Sequence, residues 1–433
     1  MHAIGIDLGT SGIRLSLLDP DGRRVHSAQR ALPESAGEDD GHAEQDPLAW
    51  WAVVRELLQG AARHLKGAPA AIAVDGTSAT LLRLDANGRP THPALMYNDA
   101  RATDMVAVLA GVAPATAAVH SPSSSAAKLL WLRRHQGLSG VRHILHQADW
   151  IAGKLRGRFD ATDENNALKL GYDALWGGWP DWLLDILNTD AQLLPQVIPA
   201  GSVLGPLAPG VAQSLQLNPA SRVIAGTTDS IAGFLASGVN DPATGVTSLG
   251  TTLAIKQLSP QPVYAPELGI YSHRLLGHWL VGGASNSGGG VLRQHFDDAA
   301  LETLSAALDP ETDSGLDYLP LPRRGERFPV NDPELEPRLT PRPADDARFL
   351  QGILEGIARI ERDGYRRLTE LGAPRVERVV TLGGGARNPA WTRIRSRLLD
   401  LPVTAADNDD AASGAARLAR IGIGLETLDP PAP

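Results

Sequence analysis

The feature that most constrains the fold is a strand–turn–strand pattern at the start of the chain. Residues 3–8 form a short apolar run that includes Asp7, a Gly-Thr-Ser-Gly turn follows at residues 9–12, and apolar residues alternate along residues 13–17. This pattern predicts a β-hairpin with a polar tip. Small residues at such a tip let backbone N–H groups and hydroxyl groups approach an anion, and a neighbouring carboxylate can hold a hydrated cation. On this segment alone, a site for phosphate and magnesium and an ordinary hairpin turn both stay open.

A second, weaker copy of the pattern lies at residues 245–255. Alignment of the two copies places Leu, Gly and Thr in register with a hydroxyl residue after them, but it puts Ser248 where the first copy has Asp7. We interpret the pair as an internal repeat. The repeat predicts two related halves whose hydroxyl-tipped hairpins face each other across a cleft, and such a cleft suits a nucleotide.

The elements that follow each hairpin support the repeat. In the first half, a third strand at residues 25–32 and a helix capped by Asp46 precede an apolar strand at residues 70–74. In the second half, a long helix over residues 345–371 precedes a strand at residues 378–382. Antiparallel strands followed by a helix and a further strand are the order of ribonuclease-H-like folds. We therefore predict an α/β protein of two ribonuclease-H-like domains of the actin-like ATPase class, with an interdomain cleft.

Length and composition agree with two globular domains. The chain has 433 residues, of which 43% are hydrophobic and 21% are charged, so each half is long enough to bury a core of its own. The boundary is expected before the second copy of the repeat, where the small apolar residues 231–238 end a predicted helix. We place the domains at residues 1–236 and 237–433.

Composition also excludes several classes of function. The net charge of −9 and the lack of a long basic run argue against a protein that binds nucleic acid. Without cysteine the chain has no disulfide, no thiolate metal site and no cysteine nucleophile. No apolar run is long enough to predict a membrane span, and the first residues enter a strand without the pattern of a secretory signal. We expect a soluble, cytoplasmic protein with neither a membrane nor a nucleic acid as partner.

Six segments together resemble a known family. They are residues 5–11 (Gly-Ile-Asp-Leu-Gly-Thr-Ser), 44–47 (Glu-Gln-Asp-Pro), 97–101 (Tyr-Asn-Asp-Ala-Arg), 226–229 (Gly-Thr-Thr-Asp), 249–252 (Leu-Gly-Thr-Thr) and 383–388 (Gly-Gly-Gly-Ala-Arg-Asn). In this order they resemble the FGGY carbohydrate kinases. Within that family, residues 165–173 and the short length resemble the compact D-ribulose kinases of cyanobacteria and plants more than the longer xylulose or glycerol kinases.

The resemblance implies an enzyme in which ATP with Mg2+ phosphorylates a small ketose. D-ribulose, at its terminal hydroxyl, is the expected substrate, and D-xylulose or a pentitol is the alternative. The first half would bind the sugar and carry the catalytic base, and the second half would bind the nucleotide. Two other classes stay open: an actin-like structural or chaperone ATPase, and a sugar-binding regulator without catalysis. A monomer and a homodimer are both compatible with the sequence.

Asp229 is the expected catalytic residue. It follows two threonines where an apolar strand at residues 223–225 turns into a helix, a position that exposes a side chain toward a cleft. A carboxylate in such a position can accept the proton of a sugar hydroxyl as the bond to phosphorus forms. The pattern alone favours an aspartate that caps the helix. The resemblance, in which the matching aspartate is the catalytic base, favours catalysis.

The hairpin tips are expected to hold the phosphates. The resemblance places Asp7 near the magnesium ion and the phosphates, and we count it among both the metal ligands and the substrate-binding residues; a strand-end aspartate in a turn is the alternative. The expected phosphate donors are Thr10, Ser11, Gly250, Thr251 and Thr252. No lysine follows either turn, so neither is a Walker-type loop, and charge neutralisation falls mainly on the metal.

The adenosine is expected to lie on glycine-rich turns of the second half. The resemblance assigns this role to Gly383, Gly384 and Gly385. Asn388 and Trp391 would line the adenine with an amide and an aromatic face, although a helix cap and a packed tryptophan are the alternatives. Gly289 matches a second small-residue segment beside the nucleotide, where a short glycine run can also be a flexible joint.

The sugar side of the site is expected at three residues. Asn98 and Asp99 match the substrate-side motif of the family. Ser78 ends the segment at residues 75–78, which stands where xylulose kinases carry a Gln-Met-His-Gly type segment, and the loss of that histidine favours D-ribulose over D-xylulose. Sugar hydroxyls are recognised by such convergent polar groups. Turn formation by residues 75–78 and a helix cap by Asp99 are the alternatives.

Overall fold

The computed structural model describes residues 1–35 and 41–428, and these form two compact units. The first unit comprises Met1–Ala236 together with Asp410–Leu428, and the second comprises Ser237–Asp409. The units differ from the predicted halves in one segment, because residues 410–428 pack with the first unit. In the part of the chain that is described, no helix is long and apolar enough to cross a membrane.

The first unit contains strands β1 to β13 and helices α1 to α8. The strands are β1 (His2–Leu8), β2 (Gly12–Leu18), β3 (Arg24–Ala31), β4 (Glu44–Gln45), β5 (Ala70–Gly76), β6 (Leu81–Leu84), β7 (Ala94–Leu95), β8 (His143–His146), β9 (Ala161–Asp163), β10 (Gln196–Ile198), β11 (Val203–Pro206), β12 (Arg222–Ile224) and β13 (Thr227–Thr228). The helices are α1 (Pro47–Leu65), α2 (Thr103–Ala110), α3 (Ser125–His135), α4 (Gln147–Arg156), α5 (Glu164–Leu168), α6 (Asp181–Leu187), α7 (Pro209–Leu215) and α8 (Asp229–Ala236).

The central sheet of this unit is built around β1. It pairs antiparallel with β2, which pairs antiparallel with β3, and β5 lies parallel to β1 on the other side. The sheet continues through β12, parallel to β5, to β11 at its edge. Every residue of β5 and all but the first of β1 are buried, as expected for strands covered on both faces. The predicted hairpin, third strand and apolar strand are confirmed, and the structure shows that the apolar strand lies parallel to β1.

Helix α1 covers one face of this sheet. It begins as predicted, with the Asp46 carboxylate accepting the N–H of Leu48 and Pro47 in the first turn. Its buried residues include Trp50, Val54 and Leu58, which recur at helical spacing and join the core that β1, β2 and β5 form. A four-stranded antiparallel sheet (β4, β7, β6, β8) and the pair of β9 and β10 complete the strands of the unit.

The second unit contains six strands and four helices among its described residues. The strands are β14 (Thr244–Leu249), β15 (Leu253–Ser259), β16 (Tyr271–Leu275), β17 (His278–Ala284), β18 (Arg378–Leu382) and β19 (Val403–Ala405), and the helices are α9 (Gly289–Arg293), α10 (Asp298–Ala306), α11 (Asp346–Glu370) and α12 (Pro389–Leu399). Their sheet order is β16-β17-β15-β14-β18-β19. The long predicted helix is α11, and Asp345 caps it.

The pairing in the two sheets confirms the internal repeat. In the second unit β14 and β15 form the antiparallel hairpin, and β18 lies parallel to β14. The position equivalent to Asp7 is Ser248, as the alignment predicts. Across the parallel pair Asp7 faces Asp75, whereas Ser248 faces Leu382. The repeat therefore preserves the backbone pairing but places two carboxylates side by side only in the first unit.

The last helix, α13 (Ala411–Gly422), returns to the first unit and lies against β1 and α8. A Cβ atom on Gly5 of β1 would lie 1.9 Å from the carbonyl oxygen of Ala412, and one on Gly414 of α13 would lie 1.8 Å from that of Ala232 in α8. Real side chains do not tolerate such distances, so both positions require glycine. The close approach sets the depth at which α13 and α8 lie on the sheet.

We predict that Gly5→Ala lowers the free energy of unfolding by about 3 kcal/mol, because the added methyl group overlaps the α13 backbone. The matched control is Gly60→Ala within α1, where a Cβ meets no atom within 4 Å, so it should raise stability by roughly 0.5 kcal/mol. Urea unfolding of both variants measures the difference. Equal stabilities would contradict the close packing of β1 against α13.

Candidate active site

Four aspartates of the first unit gather where strands end and helices begin. Asp7 and Asp75, which we call the acid pair, face each other near the carboxyl ends of β1 and β5. Asp229 is the first residue of α8, and Asp410 is the N-cap residue of α13. Side chains alternate along a strand, so Asp7 projects to the same face as Gly5, which lies against α13. The positive ends of two helix dipoles therefore lie on the face that carries the acid pair.

Burial controls the protonation of the acid pair. Asp7 is 4% exposed and Asp75 is 0% exposed. Burial raises the pKa of Asp7, and burial together with the charges of Asp7, Asp229 and Asp410 raises the pKa of Asp75 well above its ordinary value. Neither Asp75 oxygen receives a hydrogen bond from any described residue, and the interaction with Asp7 further raises the pKa of Asp75.

An arginine distinguishes the two carboxyl groups. Nη1 of Arg14, which is opposite Asp7 in the hairpin, donates to Oδ2 of Asp7 at 3.3 Å. This positive charge lowers the pKa of Asp7 and so opposes the effect of burial. The arginine therefore stabilises the charged form of Asp7, whereas no hydrogen bond from a cationic side chain reaches Asp75 among the described residues.

The tip of the first hairpin is held by Gln45, which belongs to the segment at residues 44–47. Nε2 of Gln45 donates to the carbonyl oxygen of Thr10 at 2.8 Å, and its Oε1 accepts from the indole N–H of Trp50 at 2.8 Å. Thr10 is half-buried and Ser11 is exposed. Asp46 thus caps helix α1, and the neighbouring Gln45 fixes the turn that follows Asp7.

The chain reaches Asp229 through a short strand. Thr227 and Thr228 of β13 lie parallel to Asp75 and Gly76 of β5, and α8 begins at the next residue. Asp229 is half-buried, and its Oδ1 accepts the N–H of Ser230 at 2.6 Å. The negative charge of Asp229 raises the pKa of both Asp7 and Asp75. Asp229 thus contacts the first turn of its own helix and also interacts electrostatically with the acid pair.

The three predicted sugar-side residues have different surroundings. Ser78 is half-buried and Asn98 is exposed, so both can reach a ligand. Asp99 is fully buried: it accepts from Arg101 Nη2 at 2.7 Å and from the backbone N–H of Ala43 at 2.8 Å. It does not cap the next helix, whose N-cap residue is Ala102. The structure places Asp99 behind the surface, where its carboxylate fixes Arg101.

The second unit contains a cavity of about 970 Å3. Several predicted nucleotide residues line it: Gly250, Thr251, Gly289, Gly384, Gly385, Asn388 and Trp391. Thr252 and Gly383 belong to the same turns but are not among the lining residues. A volume of this size suits a ligand as large as a nucleotide. The glycine-rich turns predicted from the sequence thus converge on one cavity.

Close packing explains why the turns around this cavity contain glycine. A Cβ atom on Gly385 would lie 2.6 Å from Cβ of Leu249, and one on Gly289 would lie 2.7 Å from the carbonyl oxygen of Gly250. Glycine therefore lets the three turns approach one another and form the wall of the cavity.

Asn388 and Trp391 have structural contacts in addition to lining the cavity. Oδ1 of Asn388 accepts the N–H of Trp391 at 3.0 Å and so caps α12, while its Nδ2 donates to Oγ of Ser305 at 2.8 Å. The Trp391 side chain is buried. The capping and packing alternatives are both observed, and both residues also line the cavity.

Sequence reasoning missed part of each region. In the cavity it missed one wall, formed by residues of α10 and α11 together with two arginines: Leu301, Glu302, Ser305, Leu350, Leu354, Arg293 and Arg387. In the first unit it missed the pairing of Asp75 with Asp7. A partial signal for that pair was present, because each aspartate comes near the end of an apolar run.

Two domain models of one protein family match successive parts of the chain. The N-terminal domain model of the FGGY family of carbohydrate kinases matches residues 2–236, and the C-terminal domain model of the same family matches residues 245–423. The chain belongs to the FGGY carbohydrate kinases. It is therefore an ATP-dependent sugar kinase, as its ordered segments indicate, and a structural or chaperone ATPase is no longer an alternative.

Named relatives of this FGGY kinase are xylulose kinases. That of Klebsiella pneumoniae is 29% identical over 448 residues, which cover 97% of this chain and 90% of the relative. That of Escherichia coli (strain K12) is 26% identical over 442 residues, which cover 98% of this chain and 90% of the relative. The identity is spread over nearly the whole length, so it includes both units.

Solved structures confirm the fold class. A xyloylose kinase from Brucella ovis has a TM-score of 0.91 at 25% identity and covers 100% of this chain and 93% of its own. A gluconate kinase from Lactobacillus acidophilus has a TM-score of 0.87 at 22% identity, and the match covers 98% of this chain and 90% of that kinase. The predicted two-domain, actin-like α/β fold is confirmed.

We predict that Gly250→Val weakens nucleotide binding without loss of stability. Gly250 lines the cavity, its φ is outside the left-handed region, and a Cβ there would meet no atom within 4 Å, so the new side chain can occupy cavity space without strain. The KM for ATP should rise by roughly tenfold, equivalent to about 1.4 kcal/mol. Steady-state kinetics with varied ATP measures this, and thermal melting is the control. An unchanged KM in a folded variant would show that this cavity does not hold the nucleotide.

Proposed function

We propose that this FGGY kinase transfers the γ-phosphoryl group of ATP to the terminal hydroxyl of D-ribulose, with Asp229 as the general base. The observation that carries the proposal is the place of Asp229: it begins α8, is partly accessible, and acts electrostatically on the acid pair. The cavity of the second unit supplies the nucleotide site.

The proposed reaction needs few groups from the protein. The sugar hydroxyl attacks phosphorus, the bond from the γ-phosphorus to the bridging oxygen breaks, and ADP leaves. The hydroxyl proton passes to a carboxylate oxygen of Asp229, since a neutral alcohol is a weak nucleophile. Alignment and charge stabilisation supply most of the remaining rate enhancement.

The residues of the acid pair fit a magnesium ion. Mg2+ prefers oxygen ligands and is commonly bound by one or two carboxylates together with substrate phosphates. Both carboxyl oxygens of Asp75 are buried and have no hydrogen-bond donor among the residues that the structure describes, and Asp7 lies beside it. In the described ranges, no cluster of three or more acidic or histidine side chains could hold a metal without further ligands. We therefore assign the metal to Asp7, supported by Asp75; when bound with ATP it would neutralise phosphate charge.

Other predicted ligands keep their roles within the proposal. Thr10 and Ser11 of the first unit, and Thr251 and Thr252 of the second, are proposed phosphate donors. Accessible Ser78 and Asn98 are proposed to contact sugar hydroxyls. The buried carboxylate of Asp99 already binds Arg101 and Ala43, so we assign it an indirect role in holding that surface.

D-xylulose is the second candidate substrate, because the named relatives are xylulose kinases. The two sugars differ only in configuration at C3. The argument for D-ribulose is the Asp-Gly-Thr-Ser segment at residues 75–78, which lacks the histidine that xylulose kinases carry in this segment and puts the small hydroxyl of Ser78 nearby. A site that forms hydrogen bonds to hydroxyls can discriminate strongly between epimers, since the wrong one leaves polar groups unpaired.

We predict that Asp229→Asn lowers kcat by about a hundredfold or more, because the amide cannot accept the proton. Binding of ADP, measured by titration calorimetry, should stay within a factor of about two, since the nucleotide cavity lies in the other unit. Normal turnover by this variant would exclude Asp229 as the base.

We predict that D-ribulose has the highest kcat/KM in a coupled ADP-release assay with D-ribulose, D-xylulose, ribitol and glycerol as acceptors. Ser78→Ala should lower kcat/KM for D-ribulose by roughly tenfold, the cost of one lost hydrogen bond to a ligand. A higher kcat/KM for D-xylulose would overturn the proposed substrate and leave the kinase assignment intact.

A further inference from the structure

Lys128 is a lysine without any exposure to solvent. It lies near the start of α3, and its side chain is 0% exposed. Transfer of an ammonium group from water into a protein interior is costly unless specific partners replace the lost hydration. Burial accordingly lowers the pKa of Lys128 to about 7. The contacts of such a residue indicate what it does.

The amino group of Lys128 joins two turns. Its Nζ donates to the carbonyl oxygen of Ala79 at 2.9 Å and to that of Met96 at 2.6 Å. Ala79 directly follows Ser78 in a turn at residues 77–80, which we call the serine turn. Met96 begins a turn at residues 96–99, the asparagine turn, which contains Asn98 and is closed by the Asp99 N–H to Met96 oxygen bond of 2.9 Å.

The serine turn contains an unfavourable backbone conformation. Ala79 has a φ of 74°, in the left-handed region that residues with a Cβ atom rarely adopt. The start of the turn is fixed by Gln147, whose Oε1 accepts the backbone N–H of Thr77 at 3.1 Å and its hydroxyl at 2.9 Å. The bond from Lys128 fixes the end of the turn by orienting the Ala79 carbonyl.

Charged residues near Lys128 have opposite effects on its protonation. The charge of Asp99 favours the protonated form, while Lys169 and Arg101 disfavour it. A charged amino group has three N–H donors and a neutral one has two. Either form can therefore donate to both carbonyls, so the link between the turns does not depend on ionisation.

We propose that Lys128 is a positioning residue for the acceptor sugar, which sets the spacing between Ser78 and Asn98 by holding the serine and asparagine turns together. The inference rests on the proposed roles of Ser78 and Asn98 in sugar binding. It adds a residue that does not touch the sugar but determines whether both contacts can form at once. Loss of Lys128 should therefore weaken binding of the sugar and leave binding of the nucleotide unchanged, since other residues form the nucleotide cavity.

The test is Lys128→Met, which retains an unbranched side chain and removes the donors. With the best sugar acceptor of the wild type, the KM for sugar should rise about tenfold, since small misplacements of binding groups have large effects. The KM for ATP should stay unchanged. The matched control is Lys154→Met in α4 of the same unit, where a half-buried lysine lies over Trp51 and Trp150; it should leave both KM values unchanged.

A second pair of variants covers the case in which Lys128→Met does not fold. Glycine adopts the Ala79 conformation without strain, so Ala79→Gly in the Lys128→Met background should restore folding and part of the affinity for sugar. An unchanged sugar KM in the folded single variant, or in the double variant compared with Ala79→Gly alone, would overturn the proposal. An equal rise in both KM values would do the same. A wild type without sugar-dependent ATP turnover would instead contradict the proposed function.

Discussion

The candidate active site of the first unit depends on the parallel pairing of β1 with β5. This pairing brings Asp7 and Asp75 opposite each other, and the absence of a side chain at Gly5 lets α13 lie directly on the same face of the sheet. Gly414 in turn lets α13 approach α8. Three backbones in van der Waals contact thus fix the carboxylates relative to two helix N-termini. The position of Asp229 follows from this packing, because Asp229 is where α8 begins.

The same pairing in the second unit carries different chemistry. There the residues opposite each other are Ser248 and Leu382, so these two positions carry no charge. The turns that follow β14 and β18 instead contain glycines packed at close range, and they open onto the cavity of about 970 Å3. The same strand pairing therefore occurs twice: in the first unit it brings carboxylates together, and in the second it positions glycine turns that form part of a cavity wall.

The accuracy of the sequence predictions depended on how local each feature was. The hairpins, the cap of α1 at Asp46 and the glycine turns were predictable, because hydrophobic alternation, capping residues and glycine act within a few residues. The burial of Asp99, the return of α13 to the first unit and the wall that α10 contributes were not, because each depends on partners distant in sequence. Lys128 shows this limit: a lysine in a helix normally faces water, and only the two carbonyls that it meets explain its burial.

Protonation links the acid pair to the proposed metal. Burial and neighbouring negative charge raise the pKa of Asp75, whereas the charge of Arg14 favours the ionised form of Asp7. A divalent cation beside two carboxylates favours the ionised form of both, so a bound cation would lower both pKa values. The cation would thereby offset the cost of burying two carboxylates side by side, a cost that the uncharged residues at the equivalent positions of the second unit do not incur.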